Sequence, residues 1–167
     1  LIRAGFDVRG YDLSPAALAD LEAAGGTPAA SVREACAEAD VIVLMVVNAA
    51  QAATVLFDDG ALGAAPAEAI ICLTATCPPQ QVAAIAARVA ETGRRFIDCP
   101  VSGGVVGATA GSLTIMAAAP PAHFETALPV LSAMGSRTLH VGNTPGQGAT
   151  VKTVNQLLCG VHIVVAA

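Results

Sequence analysis

The chain has 167 residues, 54% of them hydrophobic and 13% charged, with a formal net charge of −5. Disorder needs low hydrophobicity and high charge, so this composition excludes it and asks for one domain with a sizeable core. Eight basic residues against 13 acidic ones argue against a nucleic-acid partner, whose affinity comes from clustered Lys and Arg.

Leu1, Ile2, Arg3, Ala4 and Gly5 read as the last turn of an amphipathic helix closed by a C-cap glycine. Residues 7–12 read as a short strand. Ser14 then serves as N-cap and Pro15 as first residue of a helix that runs to about Ala24 and stops at Gly25-Gly26. Ser31 and Glu34 have capping-box spacing and open a short helix to about residue 39. Residues 41–47 form a continuous apolar, β-branched run, the pattern of a strand buried on both faces. Residues 48–57 read as helix and 69–75 as a second buried strand. Pro78-Pro79 opens a helix with Val82, Ile85, Ala86 and Val89 on one side, ending at Gly93. Residues 95–98 are expected as strand and 100–111 as a glycine-rich loop. Strands at 112–118 and 138–141 flank a helix over 121–134. A loop over 142–148 leads to a helix starting near Ala149. Strands alternating with helices predict βαβ units and an α/β, doubly wound, mostly parallel sheet.

The longest strongly apolar run, 41–47, is too short for the ~20 residues of a spanning helix, and the uncharged stretch 99–124 is broken by Gly and Pro. No membrane partner is expected. The cysteines at 36, 72, 77, 99 and 159 are odd in number and lack CxxC spacing, which predicts reduced thiols and a cytoplasmic protein. His123, His140 and His162 show no metal-ligand spacing, so no metal site is expected.

Four segments carry candidate chemistry. Asp12, at a strand end, has the position of an acid that binds an adenine ribose, or of an ordinary turn residue. Ser102, Gly103 and Gly104, just past a strand, can present consecutive N–H groups to a carboxylate or phosphate, or form a plain turn. Lys152, the only lysine, shares a helix face with Asn155 within an apolar segment. Desolvation there lowers a lysine pKa and suits it to acid–base work, although a snorkelling lysine has the same pattern. Val47-Asn48 and Thr74-Ala75-Thr76 follow buried strands, where open α/β sheets bind ligands and where helix caps also sit.

Taken together, Asp98-Cys99-Pro100-Val101-Ser102-Gly103-Gly104, then Gly107-x-x-x-Gly111-x-Leu113-Thr114-Ile115-Met116, Pro129-Val130-Leu131-x-x-Met134-Gly135 and Gly146-x-Gly148-x-x-x-Lys152-x-x-Asn155 resemble the β-hydroxyacid dehydrogenases. That family includes 3-hydroxyisobutyrate dehydrogenases and tartronate semialdehyde reductases. The runs 44–51, 150–152 and 156–163 are most similar to its L-threonate dehydrogenase branch. The resemblance implies a Rossmann-like domain over residues 1–146 and, over 147–167, the start of an interdomain helix. It implies hydride transfer from a small hydroxy acid to NAD, with Lys152 as general acid/base. Ser102, Gly103 and Gly104 would hold the substrate carboxylate and Asn155 would orient the substrate. Asp12 would bind the ribose and favour NAD over NADP, while Val47, Asn48 and Thr76 would lie along the cofactor. The family's first strand, phosphate-binding glycine loop and helical, dimer-forming domain have no counterpart in this sequence, so the chain alone is expected to bind NAD weakly. Four-carbon sugar acids such as L-threonate are the expected substrates, with 3-hydroxyisobutyrate or tartronate semialdehyde chemistry as the alternative. A homo-oligomer is expected at full length, and a non-catalytic Rossmann-like binding module is the alternative of another class.

Overall fold

The computed structural model describes residues 1–166. A 3-10 turn, Ile2–Ala4, ends at Gly5 with φ of 87°, the left-handed cap expected of a glycine there. Two short parallel strands follow, β1 (Arg9–Gly10) and β2 (Thr27–Pro28), joined through helix α1 (Pro15–Ala23). Ser14 caps α1 by accepting from the Ala17 N–H. Helix α2 (Val32–Cys36) opens on a variant of the predicted box: Ser31 Oγ accepts from the Glu34 N–H, while the Glu34 carboxylate accepts from the N–H of Ala30, one residue before the cap.

The main sheet then begins. It contains β3 (Val41–Leu44), β4 (Ile70–Leu73), β5 (Arg95–Asp98), β6 (Val101–Ser102), β7 (Leu113–Ala118) and β8 (Gly135–Gly142). Strands β3, β4 and β5 are parallel neighbours, and β8 runs parallel to β7. Strands β5 and β6 both meet β7 antiparallel, so the mostly parallel sheet has an antiparallel junction at its middle. Between β3 and β4 lie α3 (Ala49–Ala53), a π-helical turn (Thr54–Asp58) and α4 (Ala61–Ala64). Helix α5 (Pro79–Ala90) links β4 to β5, α6 (Gly104–Ala110) links β6 to β7, and α7 (Pro121–Met134) links β7 to β8. Helix α8 (Gln147–Ala166) closes the described chain.

Alternation along β4 shows why both faces must be covered. Ile71 and Leu73 join a core with Leu56, Val82, Ile85 and Val89, beneath α2 to α5. Ile70 and Cys72 point the other way, into a second core with Ile97, Ile115, Ala127 and Leu131 beneath α7. This is the doubly wound arrangement, built almost without aromatics.

Several boundaries differ from expectation. The run 41–47 is strand only to Leu44, because the Leu44 carbonyl accepts both the Thr74 N–H and the Thr74 hydroxyl, and β4 turns away there. The first strand is Arg9–Gly10 rather than 7–12, and β2 was not anticipated: two residues ending in Pro leave no periodicity to read. The expected loop over 100–111 contains β6 and α6. Its glycines include helix-compatible Gly107, which packs on Leu113. Strand β8 is longer than 138–141, and α8 starts two residues before Ala149 for reasons given below.

Two features leave surface uncovered. The pair β1–β2 is not hydrogen-bonded to β3, and a cleft of about 580 Å³ lies between them, lined by Phe6, Val8, Gly10, Ile42, Leu44 and Val46 among others. Helix α8 is long and apolar enough to cross a membrane by length and composition, although polar residues interrupt every apolar run in it. Val151, Val154, Leu158, Val161 and Val165 are exposed along it. Their 3-4-3-4 spacing makes a continuous stripe, the pattern of a helix that packs against another helix. Lys152 and Asn155 lie beside the stripe, not in it.

Candidate functional site

The site grows from the carboxyl end of β5. Asp98 ends that strand and is 1% exposed. Its Oδ2 accepts the Gly146 N–H at 2.8 Å and the Ala149 N–H at 2.9 Å. A helix begins with unpaired N–H groups, and a carboxylate at that end satisfies them and complements the helix dipole. This sets the start of α8 at Gln147. Gly146, with φ of 100°, makes the turn into it. Burial pushes the Asp98 pKa up, against the backbone N–H groups that pull it down. Its Oδ1 is buried without a hydrogen-bond partner.

Lys152 stands less than one turn beyond Ala149. It is the one buried basic residue among the described residues, at 7% exposure. No carboxylate forms an ion pair with it among the described residues. Burial lowers its pKa, with a smaller opposing influence from Cys159 one face-repeat away. A lysine whose pKa burial lowers is a candidate for proton transfer. Asn155 follows on the same face and is half-buried.

Ser102 and the two glycines lead off the same strand end. From Asp98 the chain passes buried Cys99 and Pro100 into β6, where Ser102 pairs with Thr114 of β7. Gly103 has φ of 134° and Gly104 φ of 59°, both backbone conformations that favour glycine. A Cβ on Gly103 would also stand 3.1 Å from Leu113 Cδ2. Gly103 and Gly104 are exposed and Ser102 half-buried, so this turn is open to a ligand. Asp98 thus lies at the root of both the Lys152 helix and the Ser102 turn. The sequence reading passed over it. The signal available was an acid closing the apolar strand Arg95–Asp98, where a carboxylate needs donors to be tolerated.

The other candidates sit at the ends of β1, β3 and β4. Asp12 is exposed, and its Oδ1 accepts the Ser14 N–H at 2.8 Å, a turn contact. Asn48 caps α3 by accepting the Gln51 N–H, and the Val47 N–H donates to the Gln51 side chain. Val47 is 79% exposed. Thr76 is exposed and caps nothing, since Pro78 precedes α5. Thr74, its neighbour, is structural. Tyr11, Met45 and Val46 line one cleft, so the ends of β1 and β3 face a common space.

These residues fit part of a dinucleotide. An exposed carboxylate, two apolar surfaces at Met45 and Val47, and the polar groups of Asn48 and Thr76 suit ribose and ring systems. The basic side chain lining the same cleft, Arg9, is engaged by the Glu38 carboxylate at 3.0 Å. Elsewhere, burial raises the pKa of Cys36 and Cys77, while hydrogen bonding with the Cys72 side chain and then burial raise Cys99. These thiols are held in their unreactive form.

The comparisons with known proteins give the family. Residues 1–142 match the family described as the NAD binding domain of 6-phosphogluconate dehydrogenase. The L-threonate dehydrogenase of Cupriavidus necator is 41% identical over 168 residues, covering 100% of this chain and 57% of that protein. A crystal structure of 3-hydroxyisobutyrate dehydrogenase from Salmonella typhimurium superposes with a TM-score of 0.92 at 41% identity, over 99% of this chain and 58% of that one. The Mycobacterium tuberculosis 3-hydroxyisobutyrate dehydrogenase, solved with L-serine, gives 0.93 at 30% identity, over 98% and 55%. The chain therefore spans little more than half the length of these relatives. By fold, by motif order and by this match, it belongs to the family of the NAD-binding domain of 6-phosphogluconate dehydrogenase.

Proposed function

We propose that this chain is the larger part of the cofactor domain, residues 1–146, and the first stretch of the interdomain helix, residues 147–167, of an NAD-dependent hydroxyacid dehydrogenase acting on L-threonate-like four-carbon sugar acids. The observation that carries the reading is Lys152. It is a buried amine with no ionic partner among the described residues, less than one helical turn beyond Ala149, whose N–H is held by the Asp98 strand end that also leads to Ser102, Gly103 and Gly104.

The chemistry follows from these groups. Ser102, Gly103 and Gly104 hold the substrate carboxylate through N–H donors, and Asn155 orients the substrate. Neutral Lys152 accepts the proton of the substrate hydroxyl while the carbon–hydrogen bond beside it breaks and the carbon–oxygen double bond forms. NAD, when bound, supplies the acceptor for the hydride. In the reverse direction protonated Lys152 returns the proton to the carbonyl oxygen. Asp12 binds the adenine ribose and disfavours a 2′-phosphate, which makes NADP the poorer cofactor. Val47, Asn48 and Thr76 line the cofactor.

The cleft between β1 and β3 suits one further parallel strand, and the stripe on α8 suits a helical domain that also joins two copies of the protein. The reading further implies a cytoplasmic enzyme without nucleic-acid or membrane partners. A second reading, 3-hydroxyisobutyrate-type substrates, has support in the two solved relatives, one of them with L-serine, itself a 3-hydroxy carboxylate. The test is a panel of L-threonate, 3-hydroxyisobutyrate, glycerate and L-serine with the full-length enzyme, read by NADH absorbance. Preference for L-threonate supports the first reading, and preference for 3-hydroxyisobutyrate or L-serine supports the second. No NADH from any acid would leave the non-catalytic binding module.

A further inference from the structure

We infer that Asp98 is the positioning residue for Lys152: its carboxylate ties the first turn of α8 to the end of β5 and so sets where the lysine amine stands. The inference rests on the reading of Lys152 as the acid–base group and goes beyond it to the part that aims it.

The geometry is specific. One oxygen, Oδ2, takes both the Gly146 and the Ala149 N–H, at 2.8 and 2.9 Å. These amides flank the entrance to α8, and Lys152 and Asn155 follow Ala149 at three and six residues, on the same face. Any tilt of the first turn therefore carries both side chains with it. The turn lies directly on the strand ends: a Cβ on Gly148 would stand 2.5 Å from the Met116 carbonyl oxygen and 2.8 Å from that of Asp98. Three residues after Asp98 the chain enters β6 and reaches Ser102. One side chain thus fixes the lysine helix to the strand that also supplies the carboxylate-binding turn. Displacements of an ångström in such an arrangement cost up to about a hundredfold in rate.

A helix cap with no catalytic consequence would have the same hydrogen bonds, so the test must separate turnover from folding. Burial raises the Asp98 pKa despite its N–H donors, which means the charged form is a net cost to the folded state. A neutral isostere is therefore expected to fold. Asp98→Asn keeps the shape and one acceptor oxygen but loses the charge-assisted bonds, the stronger kind. Asp98→Ala loses both.

The experiment uses the full-length enzyme. It measures kcat, the Kd for NAD, the melting temperature, and amide hydrogen exchange at Gly146 and Ala149. For Asp98→Asn the expected result is a melting temperature and NAD Kd like those of the unaltered enzyme, about tenfold lower kcat, and faster exchange at the two amides. Asp98→Ala should lose more kcat than Asp98→Asn. Gly148→Ala, which displaces the same turn with Asp98 intact, should also lower kcat and carries the test if the Asp98 variants do not fold. Unchanged kcat in folded Asp98→Asn or in Gly148→Ala would overturn the proposal. So would a kcat loss that merely follows the folded fraction. A Lys152→Ala enzyme that keeps its turnover would instead sink the lysine reading, while the exchange at Gly146 and Ala149 would still report whether Asp98 holds the turn.

Discussion

Gly148 sits on Met116: a Cβ at Gly148 would stand 2.5 Å from the Met116 carbonyl oxygen, closer than real Cβ contacts come. The obstacle is backbone, not a flexible side-chain end, so the helix or the strand must move. Gly148→Ala is expected to destabilise the domain by about 1–3 kcal/mol, the usual cost of overpacking. At about 2–4 °C per kcal/mol for a chain of this size, a thermal melt reads this directly, and an unchanged melting temperature would contradict the packing described.

The lysine carries a pH signature. Burial lowers its pKa, so the neutral amine that oxidation needs is available below the ordinary lysine value of about 10.4. The rate of hydroxy-acid oxidation should rise with pH through an inflection below that value and then level off. The rate of carbonyl reduction should fall over the same interval. A pH–rate profile of kcat in both directions checks the sign, and an inflection at the ordinary value would contradict the desolvation.

The same shift bears on stability. A lysine whose folded-state pKa lies below its unfolded one contributes most above the unfolded value, and that contribution is lost as pH falls through the folded value. At neutral pH the buried amine is thus a cost. Lys152→Met should melt higher than the unaltered protein at pH 7 while losing turnover, a trade familiar from functional sites. A lower melting temperature would mean that the amine has found compensation which the described residues do not show.

Much of this was legible in the sequence, and the exceptions have physical causes. The buried strands β3 and β4 declare themselves through apolar, β-branched runs, and α1, α2 and α5 through Ser caps or an opening Pro. The helix over 104–110 is hidden because it contains two Gly and two Ala, its valines Val105 and Val106 face solvent, and its buried residue is Gly107. Lys152, Asn155 and Ser102 to Gly104 were legible as residue types at fixed spacings. Asp98 was not given a role, because its partners lie 48 and 51 residues away and are backbone N–H groups, which leave no trace in a sequence. The membrane-length apolarity of α8 was overlooked because its polar residues break every short run.

The proposed ribose contact of Asp12 carries a cofactor prediction. The residue is exposed at the end of β1, with one oxygen in a turn to Ser14. A 2′-phosphate placed against it meets like charge, which costs binding. Asp12→Ala is expected to shift the ratio of NADP to NAD efficiency upward about tenfold, equivalent to about 1.4 kcal/mol. Steady-state kinetics with both cofactors measure it, and an unmoved ratio would assign cofactor choice to other residues.

The most direct measurement is NADH formation by the full-length enzyme carrying Lys152→Ala, with NAD binding followed in the same samples. The account predicts a loss of kcat of at least about a hundredfold, the usual contribution of a positioned acid–base group, with the NAD Kd unchanged. Retained turnover, or loss of NAD binding together with turnover, would contradict Lys152 as the proton-transfer group.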